Sequence, residues 1–198
     1  MDLKDIELEN VSLFDLDGTL CDYEKALIED LNNLRSPDEP PCVGVPKDDA
    51  PEYLRNRANL IRSSADWWSE LPIFPLGMSI WHLAGKLGYR RMVLTQGPKR
   101  NPSAWSGKKM WIDKNLGQDV DITITRDKGL VYGKILVDDW PDYIIRWLKW
   151  RPRGLVIMPA SSSNEKFKHS QVIRYDGSEK SFEEVGVAMK KVFLRKTL

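Results

Sequence analysis

Short apolar runs rich in β-branched residues alternate along this chain with segments of helical period, and this alternation constrains the fold more than any other feature. The runs predicted as strands are, in chain order, VSLFD, RMVLT, DITIT, KILVDD, GLVIMP and SQVIRYD. Parallel strands need long crossover connections, which are usually helices. The pattern therefore predicts an α/β fold with a mostly parallel sheet between layers of helices.

The segment between the first two predicted strands is longer than a simple crossover. Residues 23–35 and 52–71 have helical period, and a loop containing five prolines, from Ser36 to Pro51, separates them. We interpret residues 22–75 as a small helical cap inserted after the first strand, and residues 1–21 and 76–198 as the core domain.

Capping residues predict the ends of two core helices. Asn101 as N-cap, Pro102 at the first helical position and Gly117 after the last turn bound one helix. Ser181 and Glu184 have the spacing of a capping box, which predicts that the last helix starts at Ser181.

Charge and composition argue against several kinds of partner. Lys plus Arg number 30 and Asp plus Glu 29, so a net charge of +1 produces no overall field toward nucleic acid or a membrane surface. No stretch approaches the roughly 20 apolar residues of a membrane span, and the N-terminal MDLKDIELEN lacks the basic start and apolar run of a signal peptide. We therefore expect a soluble, cytoplasmic protein with no membrane or nucleic-acid partner. The sequence is compatible with a homodimer as well as a monomer.

The few cysteines and histidines also limit the chemistry. Cys21, Cys42, His82 and His169 cannot build a disulfide framework or a zinc site of recognisable spacing. Free, structural thiols are expected, which fits a reducing compartment.

Polar residues stand at the ends of four predicted strands. Ligands of parallel α/β sheets bind at the carboxyl ends of the strands, so neighbouring strands would bring these side chains to one rim. In chain order they are Asp15 and Asp17, Thr95, Arg126 and Lys128, and Asp138 and Asp139.

Four carboxylates on one rim would repel one another by roughly 4 kcal/mol per pair at a separation of about 4 Å. A divalent cation relieves this repulsion, and oxygen ligands without His or Cys select a hard ion, for which Mg²⁺ is the expected choice. Lys128 and Thr95 supply hydrogen-bond donors for phosphate oxygens. The arrangement is typical of a phosphoryl-transfer site.

Each of these residues has an ordinary structural interpretation when taken alone. Asp17-Gly18 is a common turn sequence, Asp139 before Trp-Pro is a plausible N-cap, and a threonine such as Thr95 is common in strands. A single lysine is usually solvated. The joint occurrence at successive strand ends favours a functional site.

Three motifs resemble those of the haloacid dehalogenase superfamily of phosphotransferases. FDLDGTL is similar to its first motif, VLT to its second and ILVDD to its fourth. The longer stretch TRDKGLVYGKILVDDWPD resembles the third and fourth motif region of the 5'(3')-deoxyribonucleotidases, whose Thr-Ser in the second motif is Thr95-Gln96 here. The resemblance implies a Rossmann-like core that carries a small cap.

The resemblance also implies a mechanism. Asp15 would attack phosphorus and form an aspartyl phosphate, while Asp17 would protonate the leaving alcohol and later deprotonate water. Thr95 and Lys128 would hold the non-bridging oxygens. The chain is thus expected to be a Mg²⁺-dependent phosphomonoester hydrolase.

The same resemblance implies a set of metal ligands. Mg²⁺ would bind the Asp15 carboxylate, the main-chain carbonyl of Asp17 and one member of the Asp138-Asp139 pair. We favour Asp139, with Asp138 as a second ligand or bound through a water.

Aromatic residues in the predicted cap indicate the substrate. Tyr23 follows the first motif, and Trp67 and Trp68 precede Glu-Leu, as do the residues that hold the nucleobase in the family. Gln96 and Arg126, at the ends of the second and third strands, are further candidates for substrate binding. The expected substrate is a deoxyribonucleoside 5'(3')-monophosphate.

Two other functions are considered. The first keeps the chemistry but acts on sugar phosphates or on the 3'-phosphate ends of nucleic acid, because the segment RWLKWRPR, residues 146–153, mixes cations with tryptophans as a single-strand platform does. A surface helix with one apolar face is the favoured interpretation of that segment, and the net charge near zero supports it. The second is a binding module without turnover, against which the presence of both Asp15 and Asp17 argues.

Overall fold

The fold is built on one parallel sheet. The structure is a computed structural model that describes residues 10–195. Within these residues the sheet has six strands in the order β3-β2-β1-β4-β5-β6, and every neighbouring pair is parallel. The strands are β1 (Val11–Phe14), β2 (Arg90–Thr95), β3 (Asp121–Ile124), β4 (Ile135–Val137), β5 (Leu155–Pro159) and β6 (Val172–Tyr175). The predicted parallel α/β sheet is confirmed.

Helices provide most of the connections between strands. Short 3-10 turns alone link β3 to β4 and β5 to β6 in the described chain. The helices are α1 (Tyr23–Asn33), α2 (Glu52–Arg62), α3 (Ala65–Ser69), α4 (Pro75–Lys86), α5 (Pro102–Asn115), α6 (Pro141–Leu148) and α7 (Glu179–Phe193).

The central strands bury both faces of the sheet, which accounts for their nearly continuous apolar sequences. Successive residues point to opposite sides. Phe14 and Val137 belong to the core cluster that includes residues of α4, α5 and α7. Leu13 and Leu136 belong to the cluster that includes residues of α6. Helices on the two faces and the sheet between them form the three layers.

Between β1 and α4 the chain forms α1, α2 and α3, which have a hydrophobic cluster of their own. Leu27 and Leu31 of α1 pack with Ala58 of α2, and all three are at most 1% exposed. Val45 of the proline-rich loop packs against the same cluster. The division into a core and a cap of residues 22–75 stays a prediction.

The continuous helix predicted over residues 52–71 is wrong, because two helices occupy this range. α2 ends at Arg62 and α3 starts at Ala65, with Ser64 as its N-cap. The Ser64 hydroxyl accepts a hydrogen bond from the Trp67 N–H at 3.4 Å. The break allows the Trp68 indole N–H to donate to the Arg62 carbonyl at 2.8 Å.

The predicted start of the last helix is also wrong. The N-cap is Ser178, whose hydroxyl accepts from the Ser181 N–H at 3.2 Å. The Ser181 hydroxyl instead donates to the Asp176 carboxylate at 2.6 Å. The Asp176 carboxylate also accepts from the Ser178 hydroxyl at 2.7 Å, so it binds both serines at the start of the helix.

The structure also bears on the predictions about the cysteines and about membrane-spanning segments. Cys21 and Cys42 are free thiols, as predicted. No helix in the described part of the chain combines the length and apolarity needed to cross a bilayer. The N-terminal residues 1–9, which underlie the signal-peptide argument, lie outside the described residues.

Two helical glycines give a matched test of packing. A Cβ on Gly107 of α5 would lie 2.3 Å from the Ala65 carbonyl oxygen of α3, whereas a Cβ on Gly186 of α7 would meet nothing within 4 Å. We expect Gly107→Ala to lower the free energy of unfolding by about 1–3 kcal/mol through overpacking. Gly186→Ala should raise it by about 0.5–1 kcal/mol, because alanine is the better helix former. Urea denaturation measures both, and equal effects would contradict this account of the α3–α5 contact.

Candidate active site

The carboxyl ends of β2, β1 and β4 lie side by side, since β1 pairs with both of the other strands. Their following residues include Asp15 after β1 and Asp138 after β4, while Thr95 is the last residue of β2. The Asp15 N–H donates to the Val137 carbonyl at 2.8 Å, which extends the pairing of the two strands to the site. The strand order therefore brings together the polar strand ends that the sequence singled out.

A tight loop follows β1 and positions the second aspartate. The Leu16 carbonyl accepts hydrogen bonds from the N–H groups of Leu20 and Cys21 at 2.8 and 2.9 Å. Gly18 has φ +74°, and a Cβ there would lie 2.5 Å from an Asp139 carboxylate oxygen. Only glycine satisfies both conditions, so Gly18 sets how closely this loop approaches β4.

Lys128 holds two of the aspartates. Its ammonium lies 2.8 Å from an Asp15 carboxylate oxygen and 2.6 Å from one of Asp138, and it is almost completely buried. Burial would lower the pKa of the Lys128 ammonium, but Asp138 and Asp15 outweigh burial and raise that pKa above its ordinary value. Lys128 therefore stays charged and neutralises part of the negative charge of the rim.

The surrounding chain fixes Lys128 in place. It begins a 3-10 turn capped by Asp127, whose carboxylate accepts from the Gly129 N–H at 3.0 Å and pairs with Arg146 of α6 at 2.5 Å. The Lys128 ammonium also lies 4.6 Å from the centre of the Tyr143 ring. These contacts hold the ammonium against the two carboxylates.

The two aspartates after β4 have different surroundings. Both carboxylate oxygens of Asp138 have partners, the Lys128 ammonium at 2.6 Å and the Trp140 N–H at 2.9 Å. Burial raises the pKa of the Asp138 carboxyl to about 6, with Lys128 opposing the rise. Asp139 has no cation within 4 Å among the described residues, and its carboxylate accepts a hydrogen bond from the Thr19 hydroxyl at 3.3 Å.

The half-buried Asp139 carboxyl consequently lacks compensation for its charge. Burial, together with the charges of Asp138 and Asp15, raises the pKa of the Asp139 carboxyl well above its ordinary range. One oxygen of each of these three carboxylates lies within 4.8 Å of the others. A set of oxygen donors with one uncompensated carboxylate fits a hard divalent cation.

A second buried lysine, Lys108 of α5, binds the other side of the site. Its ammonium donates to the Asp17 carboxylate at 2.6 Å, to the Thr95 hydroxyl at 3.0 Å and to the Gln96 carbonyl at 2.8 Å. Burial raises the pKa of the Asp17 carboxyl, Lys108 opposes that rise and Asp15 adds to it. Lys108 thus fixes the second aspartate of the first motif relative to the end of β2.

A cavity of about 1080 Å³ opens from the rim toward the segment of α1 to α3. Asp15, Asp17 and Asp139 line its floor. Thr95 and Lys128, at 0% and 2% exposure, lie behind that floor rather than in it. Of the predicted substrate-binding residues, four line the cavity: Tyr23, Trp68, Gln96 and Arg126.

The fifth, Trp67, is not brought to the cavity. Its indole N–H donates to the Asp30 carboxylate of α1 at 2.7 Å, and its ring packs edge-on against Trp68. Trp68 is 5% exposed, stacks on Tyr23 with ring centres 5.5 Å apart, and has the Lys108 ammonium 5.2 Å from its ring centre. Tyr23 therefore offers the more accessible ring of this aromatic cluster.

Two bacterial proteins are similar to this chain in sequence. A protein of Bordetella pertussis described as "Putative 5'(3')-deoxyribonucleotidase" is 31% identical over 138 residues, which cover 65% of this chain and 73% of that protein. A protein of Bordetella bronchiseptica with the same description is 30% identical over 138 residues, with the same coverage. The chain belongs to the 5'(3')-deoxyribonucleotidase family.

A solved structure supports the fold of this family member. A HAD hydrolase of Entamoeba histolytica superposes with a TM-score of 0.53 at 16% identity, covering 95% of this chain and 100% of that chain. No family model matches the chain. The deoxyribonucleotidase-family chain is a phosphatase with the HAD fold.

Lys108 was not among the predicted site residues of this deoxyribonucleotidase-family chain, although the sequence pattern of α5 contains a signal for a buried lysine. On α5 the buried residues Ala104, Gly107, Trp111 and Ile112 form one face, and Lys108 lies on that face. A lysine within an apolar helical stripe is a charge that must find a partner inside the protein. The identity of that partner, 91 residues away at Asp17, is not visible in the local pattern.

The RWLKWRPR segment of this phosphatase is divided between core and surface. Trp147 lies on the buried face of α6 and is fully buried in the core, and Arg146 pairs with Asp127. Trp150 is 55% exposed, and the Arg151 guanidinium lies over the Trp147 and Tyr132 rings. Core packing accounts for Trp147, as the surface-helix interpretation expects.

Proposed function

We propose that this phosphatase is a Mg²⁺-dependent phosphomonoester hydrolase that works through an aspartyl phosphate on Asp15. The observation that carries this proposal is the presence of two aspartates, each bound by its own lysine, on the floor of one cavity. The Asp15 carboxylate is held by Lys128 at 2.8 Å and the Asp17 carboxylate by Lys108 at 2.6 Å. Two carboxylates with separate, fixed surroundings suit two separate chemical roles.

The reaction has two displacement steps at phosphorus. In the first, an Asp15 oxygen forms a bond to phosphorus while the bond to the ester oxygen breaks, and Asp17 donates its proton to the leaving alcohol. In the second, Asp17 takes a proton from water, the water oxygen bonds to phosphorus, and the bond to Asp15 breaks. Inorganic phosphate leaves, and both aspartates return to their starting states.

The two lysines orient these groups and offset negative charge. Lys128 compensates the negative charge of Asp15 and Asp138. The Lys108 ammonium donates to both the Asp17 carboxylate and the Thr95 hydroxyl and so fixes their relative position. Donors fixed before the reaction stabilise the charge that develops on the transferred phosphoryl group.

The metal site would consist of the Asp15 and Asp139 carboxylates and the Asp17 main-chain carbonyl. Asp138 already accepts from Lys128 and from the Trp140 N–H, which supports a role for it as a holder of Lys128 or a ligand through water. When bound, Mg²⁺ supplies positive charge to the oxygens of the phosphoryl group.

We propose a deoxyribonucleoside 5'(3')-monophosphate as the substrate. The names of the Bordetella relatives support this class. The Tyr23 ring at the cavity wall provides a flat surface for a base, and Gln96 and Arg126 line the same cavity. The free thiols of Cys21 and Cys42 support a proposed cytoplasmic location.

Removal of metal is the first test of this proposal. We expect EDTA to lower phosphate release by at least about 100-fold, because the charge of Asp139 and of the substrate would lose its counter-ion. Excess Mg²⁺ should restore the rate, whereas Ca²⁺, which prefers more ligands at longer distances, should restore little. A rate that is unchanged by EDTA would contradict the metal requirement.

The substrate class is tested with a panel of phosphate esters. Deoxyribo- and ribonucleoside 5'- and 3'-monophosphates, sugar phosphates and an oligonucleotide with a 3'-phosphate are compared by kcat/KM with Mg²⁺ present. Preference for a deoxyribonucleotide is the expected result. Activity confined to sugar phosphates or to the oligonucleotide would refute the proposed substrate and leave the proposed chemistry standing.

A further inference from the structure

The cavity extends well beyond the reaction centre and is cationic in that outer part. Its volume of about 1080 Å³ slightly exceeds the roughly 300–1,000 Å³ typical of small-molecule sites. Besides Lys108, four cationic side chains line the cavity, and in the described chain none of these four forms an ion pair with a carboxylate. They are Lys47, Arg62, Arg100 and Arg126. Glu24 is the one acidic residue of this outer lining.

Arg62, at the end of α2, is held in one orientation by uncharged acceptors. Its guanidinium donates to the Ala58 carbonyl at 3.0 Å, to the Asn59 side-chain oxygen at 2.9 Å and to the Tyr23 hydroxyl at 3.2 Å. A guanidinium has five N–H donors, so these bonds leave donors available at the cavity wall. A fixed guanidinium without a carboxylate partner is well suited to bind a phosphate.

Lys47, in the proline-rich loop, lies beside Arg62. A smaller polar cavity of about 360 Å³ adjoins the large one, and the two share Lys47, Asn59 and Arg62 as lining. Two cations of different elements therefore border the same space, and the smaller cavity is also lined by Arg55, Asp48 and Glu52.

The aromatic cluster separates this pair from the reaction centre. The Lys108 ammonium, which binds Asp17, lies 5.2 Å from the Trp68 ring centre. The Trp68 ring stacks on Tyr23 at 5.5 Å, and the Tyr23 hydroxyl binds Arg62. A phosphate bound at Arg62 and Lys47 would lie across this aromatic pair from Lys108 and Asp17.

We propose that Arg62 and Lys47 form a subsite for a second phosphate group of the substrate, so that the preferred substrates carry two phosphates rather than one. This inference rests on the proposed function, because it assumes that the first phosphate is bound at Asp15. The second phosphate comes from one of two sources: the other end of a nucleoside 3',5'-bisphosphate, or the phosphodiester of a short 5'-phosphorylated oligonucleotide.

Binding to the full-length Asp15→Asn chain with Mg²⁺, measured by calorimetry, tests the subsite without turnover. We expect a deoxynucleoside 3',5'-bisphosphate to bind at least about tenfold more tightly than the matching 5'-monophosphate, the gain typical of a hydrogen-bonded charged group. A 5'-phosphorylated dinucleotide distinguishes the sources: a similar gain assigns the subsite to phosphodiesters as well, and no gain assigns it to terminal phosphates. Equal affinity for all three ligands would overturn the proposal.

Substitutions test whether Arg62 and Lys47 cause the preference for the bisphosphate. Arg62→Ala and Lys47→Ala should each reduce the ratio of bisphosphate to monophosphate affinity by several-fold, and Arg62→Lys should restore part of it. Arg153→Ala and Lys86→Ala, exposed residues outside the cavity, are matched controls that should keep the ratio. Should Arg62→Ala fail to fold, Lys47→Ala, at an exposed loop residue, carries the test. A ratio unchanged in Lys47→Ala, and in Arg62→Ala where that variant folds, would refute the subsite.

Turnover by the unmodified chain separates this inference from the proposed function. If no phosphate ester is hydrolysed but the bisphosphate preference in binding persists, the proposed function fails and the subsite stands. If monophosphates are hydrolysed and the bisphosphate binds no better, the subsite alone fails.

Discussion

Asp15→Asn should lower kcat for phosphate release by about 10⁴-fold or more, the scale observed when a catalytic nucleophile is removed. An amide nitrogen or oxygen cannot form the acyl phosphate, so the loss should appear in kcat rather than in KM. Lys128 keeps its second partner, Asp138 at 2.6 Å, so the variant should remain folded. Steady-state kinetics and thermal unfolding measure the two quantities.

Asp119→Asn is the matched control for this substitution. It makes the same chemical change at an exposed aspartate outside the cavity and should leave kcat within about twofold of the original value. Substantial turnover by Asp15→Asn, with purity established by mass spectrometry, would contradict a covalent role for Asp15.

Lys108→Met should reduce kcat by about 10²–10³-fold, comparable to the loss of one preorganised donor at a reacting group. Lys108 donates to the Asp17 carboxylate, the Thr95 hydroxyl and the Gln96 carbonyl, so its loss leaves the acid/base group without its partner. Methionine matches the length of the lysine stem and suits the apolar face of α5. The Asp17 side chain is 29% exposed, so water can solvate it, and the fold should survive.

Lys109→Met tests whether the loss is specific to the buried position. Lys109 is the next residue of α5 and pairs with Asp113 on the surface. Surface ion pairs of this kind contribute little to stability, so this variant should keep both activity and stability. Similar losses in the two variants would indicate damage to α5 rather than a role for the Lys108 ammonium.

Local sequence patterns predicted the elements and most of the reaction centre. Short apolar runs correspond to all six described strands, and the aspartates that follow β1 and β4 meet at one rim. This worked because a strand's carboxyl end can be located from its own residues, and parallel strands place those ends together. Errors arose where two local signals competed, as with Ser178 and Ser181 for the cap of α7.

The chain's sequence alone thus determined which segments form strands and helices, which faces are apolar, and that Asp15, Asp17, Asp138 and Asp139 share an edge. Only the tertiary structure decided that Lys108 meets Asp17, that Trp67 turns to Asp30, and that Arg62 and Lys47 border one cavity. Periodicity along one segment specifies which side of that segment is buried. The partner that the buried side meets is selected by the packing of segments distant in sequence, which no local pattern contains.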